Sequence, residues 1–434
     1  MNNNFKTFFR KDSSRSTNNI TSTIQLMLHF NEKAKRNPIT GYILVSLGVL
    51  LSASSGSWDI TNHLLNKPET FFSPPHAGIY IGVALVLSGS IMVLSRYYRS
   101  SSNISNKYHY IDKLIDLPLP MKLVIIGVVM LVSAGPFDFA WHSAFGLDGL
   151  LSPSHSVLTI GMAVSSIGAL LGMLSSNNDQ NNNDNNNDNN KSRKFNTSIT
   201  NSSSFPSSSI VDSTNNDDNK TSHAVSPILI IIGIIPIWIT VSGLIHMASL
   251  PFSDTEHFNF NPDPTLAAII ATLAFPFIVS FILFSSFQLS VRSRRRKRMF
   301  GILSITGIVF IIINLTTAIL TNEYLIPTIP FYILNIIPIV AVDILLSKLS
   351  TPKTKIVNYV AGAVIGSIFF TLYYPLITHT YNEVLSNSQT VWPSLTSSIY
   401  FKMIDKIYPL MVIPAAVTGI MATIISSKLI QDKN

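Results

Sequence analysis

The chain has 434 residues, 47% of them hydrophobic and only 12% charged, with a formal net charge of +8. It contains no cysteine, which excludes disulfides, thiolate metal sites and cysteine nucleophiles and leaves His, Asp, Glu, Met and backbone oxygen as possible ligands. The apolar residues lie in runs of about twenty, the length a helix needs to cross a bilayer, so the expected fold class is all-α: a polytopic membrane helical bundle.

Residues 1–37 are a polar, basic tail. They lack the apolar core and small-residue cleavage site of a signal peptide, so the first apolar run is expected to persist as a helix. Ten spans are predicted, at 38–56, 77–95, 120–136, 154–174, 226–250, 265–289, 300–320, 327–347, 356–379 and 408–428. Between the fourth and fifth, residues 176–225 are rich in Asn and Ser and include Asn181-Asn182-Asn183-Asp184-Asn185-Asn186-Asn187. Such a stretch cannot bury a core and is expected to be a disordered linker. It divides the chain into a four-helix module over 38–175 and a six-helix module over 226–434.

The basic residues set the orientation. Lys6, Arg10, Lys11, Arg15, Lys33, Lys35 and Arg36 precede the first span, and further groups run from Arg96 to Lys113, Lys191 to Lys220, Arg292 to Arg298 and Lys348 to Lys355. The intervening loops hold only Lys67, Lys402 and Lys406 of the thirty Lys and Arg. By the positive-inside rule the chain is expected in the cytoplasmic membrane with both termini and the linker cytoplasmic. The positive charge is then a topology signal: Arg294-Arg295-Arg296-Lys297-Arg298 is read as an anchor facing anionic lipid, and nucleic acid is not an expected partner.

One constellation occurs twice in the first module. Asp59, His63 and His76 reappear as Asp138, His142 and His155, each 79 residues later. The match extends to Gly56 with Gly135, Glu69 with Asp148, Ser73-Pro74 with Ser152-Pro153, and Gly82 with Gly161. Two imidazoles and one carboxylate make a candidate metal site. Asp138 and His142, four apart, share one helix face. Ser152 suits an N-cap and Pro153 the first helical position, which places His155 in the first turn of the next helix. The three side chains can therefore meet at the mouth of a helical hairpin, near the outer membrane surface. A carboxylate so close to hydrocarbon is costly alone, and a divalent cation is a suitable partner for it. An isolated Asp–His pair would ordinarily be a hydrogen bond closing a helix end. Two full copies on one membrane face favour a bound transition metal, with copper, zinc and iron all open at this point. Glu69 and Asp148 are either outer-sphere groups that orient an imidazole or loop residues in water.

The segment Asp138-Phe139-Ala140-Trp141-His142, Asp148 and Ser152-Pro153-Ser154-His155 resembles the metal-binding segment of the C subunit of the particulate methane and ammonia monooxygenases. The resemblance implies that Asp138, His142 and His155 are ligands, and Asp59, His63 and His76 by the internal match, at a site associated with copper. It covers this segment and its earlier counterpart, not the whole chain. That subunit has fewer spans and a single such segment, so monooxygenase activity does not follow. The lipid bilayer, a metal ion and other membrane subunits are the candidate partners.

A fainter third copy places His246 at the end of the fifth span, but Ser242 stands in place of the Asp and Pro264 in place of the second His, so that it would be a site only if His257 or Asp254 substitutes. His379 and Glu383 are a further pair four apart. Asp343, Asn335 and Asn314 are the polar groups within the second module that an ion or proton path would need. No phosphate loop, nucleophile elbow or His-Glu-x-x-His helix is present. Three functions are compatible with the sequence: a membrane metal-binding protein, a secondary transporter of a metal ion or proton, and a metal-dependent membrane enzyme.

Overall fold

The computed structural model describes residues 38–64, 72–100, 116–145, 151–200, 226–249, 264–293, 300–321, 326, 329–349, 355–369, 371–372 and 393–431. The side chains of Thr61, His63, Leu64, 178–200, 393–410 and a few other helical residues lie outside the described set. The long elements are α1 (Ile39–Leu64), α2 (Pro74–Ser100), α3 (Leu119–Phe145), α4 (Pro153–Thr200), α5 (Pro227–Ser249), α6 (Pro264–Ser293) and α7 (Ile302–Thr321). There follow α8 (Ile329–Leu334), α9 (Ile336–Leu349), α10 (Lys355–Val364), which runs into a π-helical turn at Ile365–Phe369, and α11 (Pro393–Gln431). No strand occurs among the described residues. An all-α membrane bundle is the outcome that lipid demands, because a helix satisfies its own backbone hydrogen bonds.

Among the described residues, eight helical stretches are long and apolar enough to cross a membrane. The expected span 300–320 appears as α7, Ile302–Thr321; of 356–379 the described part is an apolar helix over Lys355–Ile368, while residues 370 and 373–379 lie outside the described residues. The expected span 327–347 is broken at Asn335 into α8 and α9, one residue apart. Two boundaries move in a way that matters for the site. The first span extends past 56 to Leu64, and the third passes through Pro136 to Phe145. A proline forfeits one backbone hydrogen bond, but the apolar Phe137, Phe139, Ala140 and Trp141 beyond it favour resumption of the helix. Pro236 and Pro276 are likewise carried inside α5 and α6. The backbone of α4 stays helical to Thr200, into the stretch expected to be disordered, with no Gly or Pro between Gly172 and Pro206 to stop it. Residues 201–225 lie outside the described part.

Helices α1 and α2 form one hairpin and α3 and α4 another. Apolar side chains do not drive helices together in lipid, so close approach depends on small residues. A Cβ on Gly48 would stand 2.6 Å from the Gly82 carbonyl oxygen, and one on Gly89 2.6 Å from that of Gly41. In the second hairpin a Cβ on Gly127 would stand 2.6 Å from the Gly161 carbonyl oxygen, and one on Gly168 2.8 Å from that of Pro120. Both hairpins are thus sealed by backbone-to-backbone contact that any side chain would block.

Helix α5 packs against α1 and α4 and joins the hairpins to the second module, where α6 meets α11. The apolar stretches of α2 and α3 are only 22% buried, against 50% for α1, α4 and α5 and 56% for α6, so α2 and α3 are the peripheral pair. The core of the second module is built around Trp238, fully buried and stacked on Phe310 with ring centroids 3.9 Å apart.

Asp343 is also fully buried there. Its Oδ2 accepts hydrogen bonds from the Gly301 amide at 2.9 Å, the Ser304 amide at 2.9 Å and the Ser304 hydroxyl at 2.7 Å. The carboxylate of α9 thereby caps the positive N-terminus of α7. Gly301 makes the approach possible with a φ of +109°, a conformation that suits glycine.

Candidate metal centre

The site begins at the mouth of the α3–α4 hairpin. Beyond Pro136 the last turns of α3 carry Asp138 and His142, while the α4 N-terminus is set by Ser152. The Ser152 hydroxyl accepts the His155 amide at 3.1 Å, and the Ser152 carbonyl accepts the Ser156 amide at 2.9 Å. This N-cap fixes the first turn of α4 and turns His155 toward α3.

Three groups converge on one atom, Asp138 Oδ1. The Ser154 hydroxyl donates to it at 2.6 Å, His142 Nε2 lies 3.3 Å away, and His155 Nε2 lies 3.4 Å away. The imidazole distances exceed the 2.7–2.9 Å of a charge-assisted hydrogen bond. They match the spacing of neighbouring ligands around a metal: two atoms bound at ~2.1 Å and about 109° apart are separated by ~3.4 Å. The ligand atoms of the three residues all lie within 4.8 Å of one another. The imidazole centroids are 5.7 Å apart and the rings inclined at 53°, so they flank a common point without stacking.

Burial is graded across the cluster. The imidazoles of His142 and His155 are 16% and 17% exposed, while Asp138 is 36% exposed, so the carboxylate side is the open one. His155 Nδ1 is buried with no hydrogen-bond partner among the described residues. A metal-bound imidazole is usually held through its second nitrogen. Asp148, the expected outer-sphere group, lies outside the described residues, as does Glu69. The rim is aromatic: Trp141 contacts Phe137 and Phe145 at centroid distances of 6.0 and 4.6 Å, and Phe139 is 75% exposed. Aromatic residues collect where hydrocarbon meets water.

In the first hairpin His76 Nε2 lies 2.8 Å from Asp59 Oδ1, which brings these two predicted residues together. The His63 backbone belongs to α1, but its side chain is outside the described residues. The hairpins differ at one position that the sequence pattern did not weigh. Ser154 donates to Asp138 in the second, whereas Pro75 occupies the corresponding place in the first and has nothing to donate. A hydroxyl one residue before the second His was the available signal.

The other candidates are placed elsewhere. His246 is buried against Phe275, with centroids 5.8 Å apart. Asp343 is occupied as a helix cap. The amide group of Asn314 donates back to the Phe310 carbonyl at 2.8 Å within α7, and that of Asn335, at the break between α8 and α9, to the Phe331 carbonyl of α8 at 2.7 Å. Asp254, His257, His379 and Glu383 lie outside the described residues. Among those residues, Asp138, His142 and His155 are the one group of three or more such side chains with ligand atoms in common reach. No model of a known protein family, no curated protein and no solved structure matches this chain.

Proposed function

We propose that this is an integral membrane metal-binding protein that holds a transition-metal ion at Asp138, His142 and His155. The observation that carries the reading is the approach of two imidazole nitrogens to a single carboxylate oxygen, at 3.3 and 3.4 Å, at the rim of two apolar helices. A carboxylate there needs a cationic partner, and one carboxylate with two imidazoles is a donor set suited to copper, zinc or iron. Copper is the first choice because the segment resembles the monooxygenase C subunit site. Asp59, His63 and His76 are the counterpart ligands by the internal repeat. The positive-inside pattern puts both hairpin mouths on the outer face of the cytoplasmic membrane.

One observation favours an enzymatic variant of this reading. Three protein ligands with an exposed carboxylate edge leave a coordination position for water or substrate, the arrangement of catalytic metal sites. Conduction of the ion is less well supported, since Asp343 is committed to the N-terminus of α7 and the amide groups of Asn314 and Asn335 donate to carbonyls four residues back.

Elemental analysis of the purified protein tests the proposal. Wild type is expected to retain a transition metal after dialysis, and His142→Ala and His155→Ala are each expected to lose the ion of the second hairpin. Equal metal content in wild type and both variants would refute it.

A further inference from the structure

In the second module two consecutive spans lose their regular helix at the same depth. Asn335, which separates α8 from α9, stands fourteen residues before the end of α9 at Leu349. The π-helical turn of the next span, Ile365–Phe369, begins ten residues after the start of α10 at Lys355 and ends fourteen after it. Spans joined by five residues run in opposite directions, so these counts put both irregularities at one level, and α9 packs against the π-helical turn. Irregular backbone at membrane depth persists only where protein or a polar cavity covers it, and interrupted helices are a recurrent way to build ion sites.

The break leaves oxygens in want of a donor. The Asn335 backbone N–H donates to the Tyr332 carbonyl at 3.2 Å, and its side-chain Nδ2 donates to the Phe331 carbonyl at 2.7 Å. The second bond fixes the side chain, because exchanging its nitrogen and oxygen would set two acceptors face to face. The remaining atom, Asn335 Oδ1, is buried with no hydrogen-bond partner among the described residues, and the residue is 1% exposed. Four residues beyond Leu334 stands Pro338, also buried, which has no N–H to give the Leu334 carbonyl. The same proline removes one amide from the positive start of α9, where a cation would be repelled.

We propose that Asn335 Oδ1 is a ligand of an alkali-metal cation held at this break, with the Leu334 carbonyl as the main-chain oxygen the break offers. The site is separate from the metal centre at Asp138 and does not depend on it. A buried acceptor without a donor is costly, and a cation repays it as no apolar neighbour can. An amide does not titrate, which sets a proton relay aside. Neutral oxygens suit a monovalent ion. A divalent one would need a carboxylate, and the one acidic residue of α8 and α9, Asp343, is committed to the start of α7.

The test follows thermal unfolding of the detergent-solubilised full chain, with EDTA present and ionic strength constant, as NaCl or KCl replaces choline chloride. Wild type should melt higher in at least one alkali salt, with a saturable dependence on concentration, since an ion that binds only the folded state stabilises it by mass action. Asn335→Leu should lose this dependence. Asn335→Asp should keep it and half-saturate at about tenfold lower concentration, because a charged oxygen holds the ion more tightly than a neutral one. Pro338→Ala, which returns an N–H to the Leu334 carbonyl, should raise the half-saturating concentration about threefold, and it remains informative if Asn335→Leu folds poorly. Asp138→Asn should respond to the alkali ions as wild type does. Equal melting of wild type in choline, sodium and potassium salts would overturn the proposal and leave Asn335 with trapped water only. An alkali response that survives in Asn335→Leu, or one that vanishes in Asp138→Asn, would overturn it by placing the ion elsewhere.

Discussion

Replacing Ser154 by Ala removes one hydroxyl and leaves every expected ligand in place. The Ser154 Oγ is buried, donates to Asp138 Oδ1 at 2.6 Å, and stands 3.1 Å from the Ser152 hydroxyl that caps α4. A hydrogen bond to a charged acceptor contributes about 1.5–3 kcal/mol. Part of that loss falls on folding. The part that falls on metal affinity is the loss of a fixed carboxylate direction, which corresponds to about a tenfold to hundredfold weakening. The assay is competition of wild type and Ser154→Ala against a chelator of known affinity, alongside a thermal melt in the same detergent. The first hairpin supplies the internal control: Pro75 occupies the matching position, so Pro75→Ser should bring a donor to Asp59 and lengthen its 2.8 Å approach to His76. If Ser154→Ala binds metal within twofold of wild type, the hydroxyl is only part of the helix cap and the argument for a held carboxylate fails.

Asp343→Ala should destabilise the second module by about 3 kcal/mol or more, since three donors at the start of α7 lose a buried anionic acceptor; a melting temperature equal to wild type would contradict this. Metal content of that variant, measured on the folded fraction, should be unchanged, because among the described residues Asp343 belongs to no cluster of ligands. Gly82→Val should open the first hairpin and lower its yield and stability, since the new Cβ would stand 2.6 Å from the Gly48 carbonyl oxygen. Gly56→Ala, where no heavy atom lies within 4 Å of the new Cβ, should leave stability unchanged or raise it by up to about 1 kcal/mol, as read from paired melts. His246→Gln should keep the full metal content while lowering stability through its lost packing on Phe275, and a loss of metal would make the third copy of the motif a ligand after all.

The membrane-bundle fold was legible because hydrocarbon imposes a simple requirement that apolar run length reveals directly. The glycine pairs 48 and 82, and 127 and 161, also lie in the sequence, but only the structure shows which glycines face each other, since that depends on the rotation of each helix. Two helix ends near the candidate site were placed too early, at 56 in the first span and at Pro136 in the third. Pro136 ended the predicted third span although α3 continues for nine residues past it, and those nine hold Asp138 and His142. The spacing nevertheless predicted their shared face, because residues four apart meet on any continuing helix.

Sequence by itself determined the all-helical membrane architecture, the duplicated Asp and His pattern and the absence of thiol chemistry, all of which follow from composition and local periodicity. Tertiary structure decided that Asp138 Oδ1 is the focus of the second motif, that Ser154 holds it, and that Asp343 is a helix cap. Those facts turn on distances of a few ångströms between residues far apart in the chain. Such distances are set by how helices rotate and cross, which the order of residues along one helix does not record.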